Sequence, residues 1–111
     1  MNFEIFLTDA FAKHLKLLSK KYPSIKKDFA SLIESLQTNP VQGESLGKSC
    51  YKVRLKITSK KTGKSGGARV ITYVKLEKKR ITLLDIYDKS VVGSITEKQL
   101  LFLIQKADFD V

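Results

Sequence analysis

Residues 50–57, Cys-Tyr-Lys-Val-Arg-Leu-Lys-Ile, alternate without a break. Tyr51, Val53, Leu55 and Ile57 fall on one side of an extended chain, and Lys52, Arg54 and Lys56 fall on the other. Such a strand has one face for a core and one for solvent or a ligand, which points to an antiparallel sheet. Three cations on one strand face repel one another. That arrangement costs stability unless an anion is meant to lie there.

The surrounding segments supply the rest of a fold. Residues 2–7 read as a first strand, with Phe3, Ile5 and Leu7 on one face. Thr8 or Asp9 is placed to cap a helix whose stripe is Phe11, Leu15, Leu18 and Tyr22. Pro23 ends it, and Ser24 is the cap expected for a second helix with Ile25, Phe29, Leu32, Ile33 and Leu36 on one side. The two form a helical hairpin that Asn39-Pro40 stops. Residues 41–49 read as a loop. Ala68 to Leu76 and Arg80 to Tyr87 read as a hairpin turning at Glu77-Lys78-Lys79. Ser94-Ile95-Thr96-Glu97 has capping-box form ahead of a last helix carrying Leu100, Leu103, Ile104 and Ala107. The expected order is β-α-α-β-β-β-α. This is an α+β class, with the helical hairpin and C-terminal helix packed on a mostly antiparallel four-stranded sheet. The 111 residues fit one domain, 1–111, and 42% hydrophobic residues suffice for a modest core.

The formal charge is +10, and its distribution is uneven. Between Ser45 and Leu76 stand nine basic residues and no acidic one: Lys48, Lys52, Arg54, Lys56, Lys60, Lys61, Lys64, Arg69 and Lys75. A cationic sheet face with its loop suits a polyanion. The glycines of the 60–67 loop would let a phosphate backbone approach closely. Gly63-Lys64-Ser65 matches the end of a P-loop, but the first glycine of that motif would fall on Thr58, and the loop leads into a strand rather than a helix. Nucleotide hydrolysis is set aside on those grounds. Cys50 is the single cysteine, so no disulfide and no cysteine-based metal site is expected. No apolar run reaches the roughly 20 residues of a membrane span. Residues 1–8 lack the basic start of a signal peptide. A cytoplasmic protein without membrane partner, metal or cofactor is the expectation.

The motifs resemble a known family. The 50–57 strand resembles the second strand of RelE-type toxins. The strand Gly67-Ala-Arg-Val-Ile-Thr-Tyr73, entered from a glycine-containing loop, resembles the next strand of that family, and Gly63-Lys-Ser-Gly-Gly-Ala-Arg-Val70 is similar to its HigB branch. Ile86-Tyr87-Asp88-Lys89 resembles the end of the last strand. The resemblance, to the RelE/ParE superfamily, covers most of the chain. It implies the toxin of a type II toxin–antitoxin pair, a metal-independent endoribonuclease that cuts mRNA in the ribosomal A site. It implies catalytic positions at Lys52, Arg54, Lys56 and Arg69, with Lys89 near a further basic position and Tyr87 as a candidate tyrosine. The implied partners are mRNA, the ribosome and a cognate antitoxin, acidic over its binding segment. Lys89 stands where RelE proper tends to have Arg, and residues 96–107 lack the tyrosine that RelE proper carries there.

Cleavage by the RNA's own 2′-OH needs a base, cations on the phosphorane and an acid at the 5′-oxygen. His14, the sole histidine, lies off its helix's apolar stripe and reads as an exposed residue. Lys, Arg and Tyr are therefore left for the chemistry. A lysine in water, with a pKa of roughly 10.4, is a poor base, and crowding by like charge is expected to improve it. Lys52 or Lys56 is the candidate base. Arg54 and Arg69 would stabilise the transition state, and Lys89 or Tyr87 would serve the leaving group. Lys48, Lys60, Lys61, Lys64 and Lys75 are candidate RNA contacts, and Tyr73 is a candidate base-stacking residue. Two other readings stay open: a non-catalytic RNA- or ribosome-binding module, and a ParE-like toxin that acts on gyrase by protein contact.

Overall fold

The computed structural model describes residues 2–60 and 66–110, the last two by backbone alone. Its elements are β1 (Glu4–Leu7), α1 (Asp9–Lys21), α2 (Ile25–Thr38), β2 (Glu44–Gly47), β3 (Cys50–Leu55), β4 (Ala68–Lys75), β5 (Arg80–Asp88) and α3 (Glu97–Asp110). The strands form one sheet in the order β1-β5-β4-β3-β2. β1 runs parallel to β5, and every other neighbouring pair is antiparallel.

Side-chain parity explains how the layers assemble. On β4, Val70 and Val74 face α1 and α2, where they join Phe11, Ile25, Leu32, Leu36, Val53 and Ile81 in the larger core. Ile71, one residue out of phase, faces the opposite side. There it packs with Cys50, Leu84, Tyr87 and the α3 residues Leu100 and Ala107. The central strands are thus buried on both faces, with α1 and α2 on one and α3 on the other. The register of β4 against β5 slips between Ile71 and Thr72, where Asp85 and Leu83 are the partners and Leu84 is the extra residue. This bulge changes which side chains of β5 face each layer.

The caps show where local chemistry was readable and where it shifted. Thr8 caps α1, its Oγ1 accepting from Phe11 N at 3.1 Å, and the same hydroxyl donates to Leu84 O at 3.1 Å. Ser24 precedes α2 as expected, but its hydroxyl is turned to Asp28 and Ser59 instead of the helix backbone. The capping box of α3 is Thr96 with Gln99, two residues beyond the one expected at Ser94. Gln99 N donates to Thr96 Oγ1 and Thr96 N to Gln99 Oε1.

Two expectations are corrected. The stretch 41–49 is not all loop: Glu44–Gly47 forms a fifth strand on β3, so the sheet has five strands rather than four. Its turn places Lys48 and Ser49 at φ 54° and 64°, both left-handed, as a tight hairpin turn requires. Lys-Ser lacks the Asn-Gly or Asp-Gly signature of such turns, and a four-residue strand with one packed residue, Leu46, shows no alternation. The second correction concerns the cationic strand, which ends at Leu55 rather than Ile57. A single 3-10 turn over Thr58–Lys60 follows, although Ile57 stays fully buried.

Gly43 sits at φ 86°, and a Cβ there would lie 2.3 Å from the Lys52 carbonyl oxygen. Gly47 has a similar φ of 81° but open space around it. Gly43→Ala is therefore expected to cost about 2–3 kcal/mol and Gly47→Ala only about 1 kcal/mol. Urea unfolding of both variants checks the difference, and equal costs would mean that β2 does not hold this close approach to β3.

Candidate nucleic-acid interface

Strand register builds the site. Arg54 on β3 is opposite Arg69 on β4, and Arg69 is opposite Tyr87 on β5. Directly paired residues project to the same face. The three form a row across the sheet on the α3 side, beyond the patch that Cys50, Ile71 and Leu84 give to the helix. Lys52 is two residues along from Arg54 on the same face, and Lys56 is two residues beyond. Arg54 and Lys56 are exposed, Lys52 is half-buried, and Arg69 is only 3% exposed, with Nη1 donating to Ala68 O at 3.1 Å. Lys52 also meets a carboxylate, Glu44 Oε1 at 3.4 Å, brought in by the unexpected β2. Four of the expected catalytic cations are therefore neighbours.

Tyr87 completes the row but is buried, and its hydroxyl makes no well-formed hydrogen bond among the described residues. Burial raises its pKa, against the opposing pull of Arg69. The phenol is held protonated, suited to donate a proton rather than to take one. Lys89, just past β5, donates to Gly93 O at 2.8 Å.

Several expected RNA contacts are placed elsewhere. Lys60 is spent inside the fold. Its Nζ donates to Asp88 Oδ1 at 2.8 Å, Gly66 O at 3.0 Å and Ser90 Oγ at 3.0 Å, so it is not an open phosphate contact. Tyr73 and Lys75 lie about 13 and 20 Å along β4 from Arg69, at about 3.3 Å per residue. Tyr73 directs its hydroxyl to Asp108 of α3 at 3.5 Å, and Lys75 pairs with the same carboxylate at 3.3 Å. Burial, with Asp108 second, raises the Tyr73 pKa. Tyr73 belongs to the helix-covered end of the face and is not beside the cationic row. Lys48 is exposed on the β2–β3 turn. Lys61 and Lys64, and the Gly63-Lys64-Ser65 triplet, lie outside the described residues. Gly67 comes close to protein, not phosphate: a Cβ there would stand 2.3 Å from Leu55 O. Burial and Asp108 push the Cys50 thiol up to about 12, which leaves it inert as a nucleophile.

Sequence reasoning missed two clusters. His14 is not simply exposed: its Nδ1 is hydrogen-bonded to Asp85 Oδ1. Asp88 is a buried hub, accepting from Lys60, from Tyr22 Oη at 2.7 Å, and from Ser90 N and Oγ. Burial would raise the Asp88 pKa, but these donors outweigh it and hold the carboxyl well below the usual range. Tyr22 had a signal only as the end of an apolar stripe, and nothing in the spacing links residues 22, 60 and 88.

No protein-family model matches the sequence. Among solved structures, a double mutant of the E. coli toxin RelE in the free state has a similar fold at TM-score 0.61. It is 16% identical over 84% of this chain and 90% of that one. A chain of the intact E. coli RelBE toxin–antitoxin complex is similar at TM-score 0.50 and 20% identity, over 78% of this chain and 95% of that one. At these identities the likeness is one of fold: the chain has the mixed α+β fold of RelE, with three helices and a mostly antiparallel five-stranded sheet. No helix among the described residues is long and apolar enough to cross a membrane.

The Asp88 hub makes a pH prediction. A carboxyl with a depressed folded pKa contributes stability that is full above its unfolded value, roughly 4, and is withdrawn as pH falls toward the folded value. Asp88→Asn is expected to lose about 2 kcal/mol at pH 7, less than for a fully buried pair because Lys60 keeps some solvent contact. The loss should shrink steadily below about pH 4, where the carboxyl of the unfolded chain takes up a proton while the folded one is still ionised. Urea unfolding from pH 7 to pH 2.5 reads this, and a pH-independent difference would remove Asp88 as a charged anchor.

Proposed function

We propose that the protein is the toxin of a type II toxin–antitoxin pair, of the HigB-like branch, and that it cleaves mRNA in the ribosomal A site. The observation that carries this reading is the Arg54–Arg69–Tyr87 row with Lys52 and Lys56 beside it. It sets cations of two kinds on one sheet face next to a protonated phenol. The fold shared with RelE supports it.

The row suits in-line transesterification. Lys56, exposed just past the end of β3, takes the 2′-OH proton when its amine is in the neutral form, as the 2′-oxygen bonds to phosphorus. Arg54 neutralises charge on the phosphorane oxygens, the buried Arg69 behind it adds its positive field, and Lys52 steadies an adjacent phosphate. The bond from phosphorus to the 5′-oxygen breaks, and Lys89 supplies that oxygen's proton, leaving a 2′,3′-cyclic phosphate and a 5′-OH. Tyr87, beneath the surface, is a positioning residue for Arg69. No metal or cofactor has a part in these steps. Modest acid–base equipment fits an enzyme whose substrate is held by the ribosome. Work on ribosome-bound mRNA places the protein in the cytoplasm. The antitoxin partner is supported by the toxin–antitoxin complex among the similar structures, and the +10 charge favours an acidic inhibitor across the cationic face.

Primer extension on an mRNA, with and without programmed ribosomes, tests the reading. Cuts within codons that need ribosomes are expected. Arg54→Ala and Lys56→Ala should each slow them by about 10²-fold or more, while Lys75→Ala changes them by less than about twofold. Arg69→Lys is the paired test for Arg69, because alanine at a buried site endangers the fold. Cuts without ribosomes would keep the nuclease and discard the A site. If nothing is cut while RNA binding declines equally with every basic substitution, the protein is a binding module. Gyrase inhibition without cleavage would assign it to the ParE-like reading.

A further inference from the structure

Lys60 belongs to the basic stretch of the sequence, yet it bonds to Asp88, whose side chain turns to Tyr22 of α1 and away from the Arg54–Arg69–Tyr87 row. An ammonium has three donors and no lone pair. Here all three have acceptors: Asp88 Oδ1 at 2.8 Å, Gly66 O at 3.0 Å and Ser90 Oγ at 3.0 Å. The Tyr22 ring stands 5.5 Å from the charge, and the side chain is only 15% exposed. The bond to Asp88 raises the Lys60 pKa, with burial opposing it, so the group stays charged at neutral pH.

The place of this ammonium matters because the sheet ends beside it. Leu55 is opposite Ala68 and Ala68 is opposite Asp88, the last row shared by β3, β4 and β5. Lys56 and Lys89 each stand one residue beyond that row, at the same end of the sheet. Past it, Lys89 N donates to Gly67 O at 3.0 Å, which joins the segment after β5 to the entry of β4. The segment bearing Lys56 arrives from the third side. It passes through the 3-10 turn over Thr58–Lys60, where Lys60 N donates to Ile57 O at 2.9 Å, and ends on the ammonium. The segments that carry Lys56, Arg69 and Lys89 therefore meet at one nitrogen.

We propose, on the cleavage reading given above, that Lys60 is a positioning residue: a clasp behind the sheet that fixes Lys56 and Lys89 relative to one scissile phosphate without touching RNA. In-line displacement needs the base and the acid on opposite sides of phosphorus, and a misplacement of about 1 Å costs roughly 10²-fold. Two ladder spacings, about 10 Å, separate β3 from β5. That span is least restrained at the strand ends, where Lys56 and Lys89 stand. Lys60 restrains it there, because its three bonds hold the turn after β3 to the entry of β4 and to the segment after β5. Methionine at position 60 would keep the unbranched stem and remove all three donors.

Single-turnover cleavage of mRNA on programmed ribosomes, followed against protein concentration, gives a saturating rate and a half-saturating concentration. Lys60→Met is expected to lower the rate by about tenfold or more and to move the half-saturating concentration by less than about twofold. Lys60→Arg keeps the charge and the donors toward Asp88 and should stay within about threefold of the unsubstituted protein. Leu32→Ala, a core truncation on α2 that lowers stability away from the clasp, should keep the rate within about twofold. Amide hydrogen exchange reads the clasp without any cleavage. In Lys60→Met the Lys89, Ser90 and Val91 amides should exchange faster by about tenfold or more beyond any change at Val70 and Ile81, which report the whole fold. An unchanged saturating rate in Lys60→Met overturns the proposal, and so does equal slowing by Leu32→Ala, which would leave Lys60 a role in stability alone. A weakened half-saturation at an unchanged rate overturns it in favour of a direct RNA contact. If the unsubstituted protein cuts nothing, the proposed function fails and the positioning role with it, whereas unaltered exchange at 89–91 beside normal cleavage sinks the clasp alone.

Discussion

The register of β3, β4 and β5 governs most of this molecule. With Val53 opposite Val70 and Val70 opposite Ile86, one face of three strands turns to α1 and α2. Moving one residue along each strand sets Arg54, Arg69 and Tyr87 in a line on the other face. A one-residue slip would bury the cations and expose the core, so the hydrophobic pattern that drives folding also aligns the candidate site. The Leu84 bulge modifies this plan on β5 alone. It allows Leu84 to join the α3 core while Asp85 meets His14.

Asp88 ties the ends of this arrangement together. Its carboxylate joins the end of α1 through Tyr22 to Lys60, beyond β3, and Lys60 also reaches Gly66. A buried carboxylate without partners would be costly; with an ammonium and three hydroxyl or amide donors it becomes an anchor. Asp88 adjoins Tyr87 in sequence and points to the opposite layer. The cationic row therefore rests on a strand whose reverse side is held by an ion pair. The neighbouring Asp28 works similarly at the start of α2. Burial would raise its pKa, but bonds from Thr58 and Ser24 prevail and lower it.

Legibility in the sequence followed the range of the interactions. Thr8 as a cap, the stripes of α1 and α2, and the alternation of 50–55 depend on residues a few places apart, and the structure agrees with them. β2 was illegible because its pairing partner, not its own pattern, makes it a strand. Lys60 read as one more cation of a basic loop because its carboxylate partner is 28 residues away. His14 read as exposed for the same reason, with Asp85 lying 71 residues on. Tyr73 shares strand parity with Arg69, which the sequence shows, but only the position of α3 reveals that this end of the face is covered.

By itself the sequence determined an α+β chain with one cationic strand face, Lys52, Arg54 and Lys56, to which the family resemblance added Arg69. Period-two and helical patterns suffice for that because they record which side of an element meets the core. The tertiary structure decided the rest: that Arg69 is buried while Arg54 is exposed, that Lys52 meets Glu44, that Lys60 belongs to Asp88, and that an apolar groove opens where β1 stops short of the end of β5. These features depend on which distant segments come together, and that is settled by packing two layers of helices against one sheet rather than by any local preference of the chain.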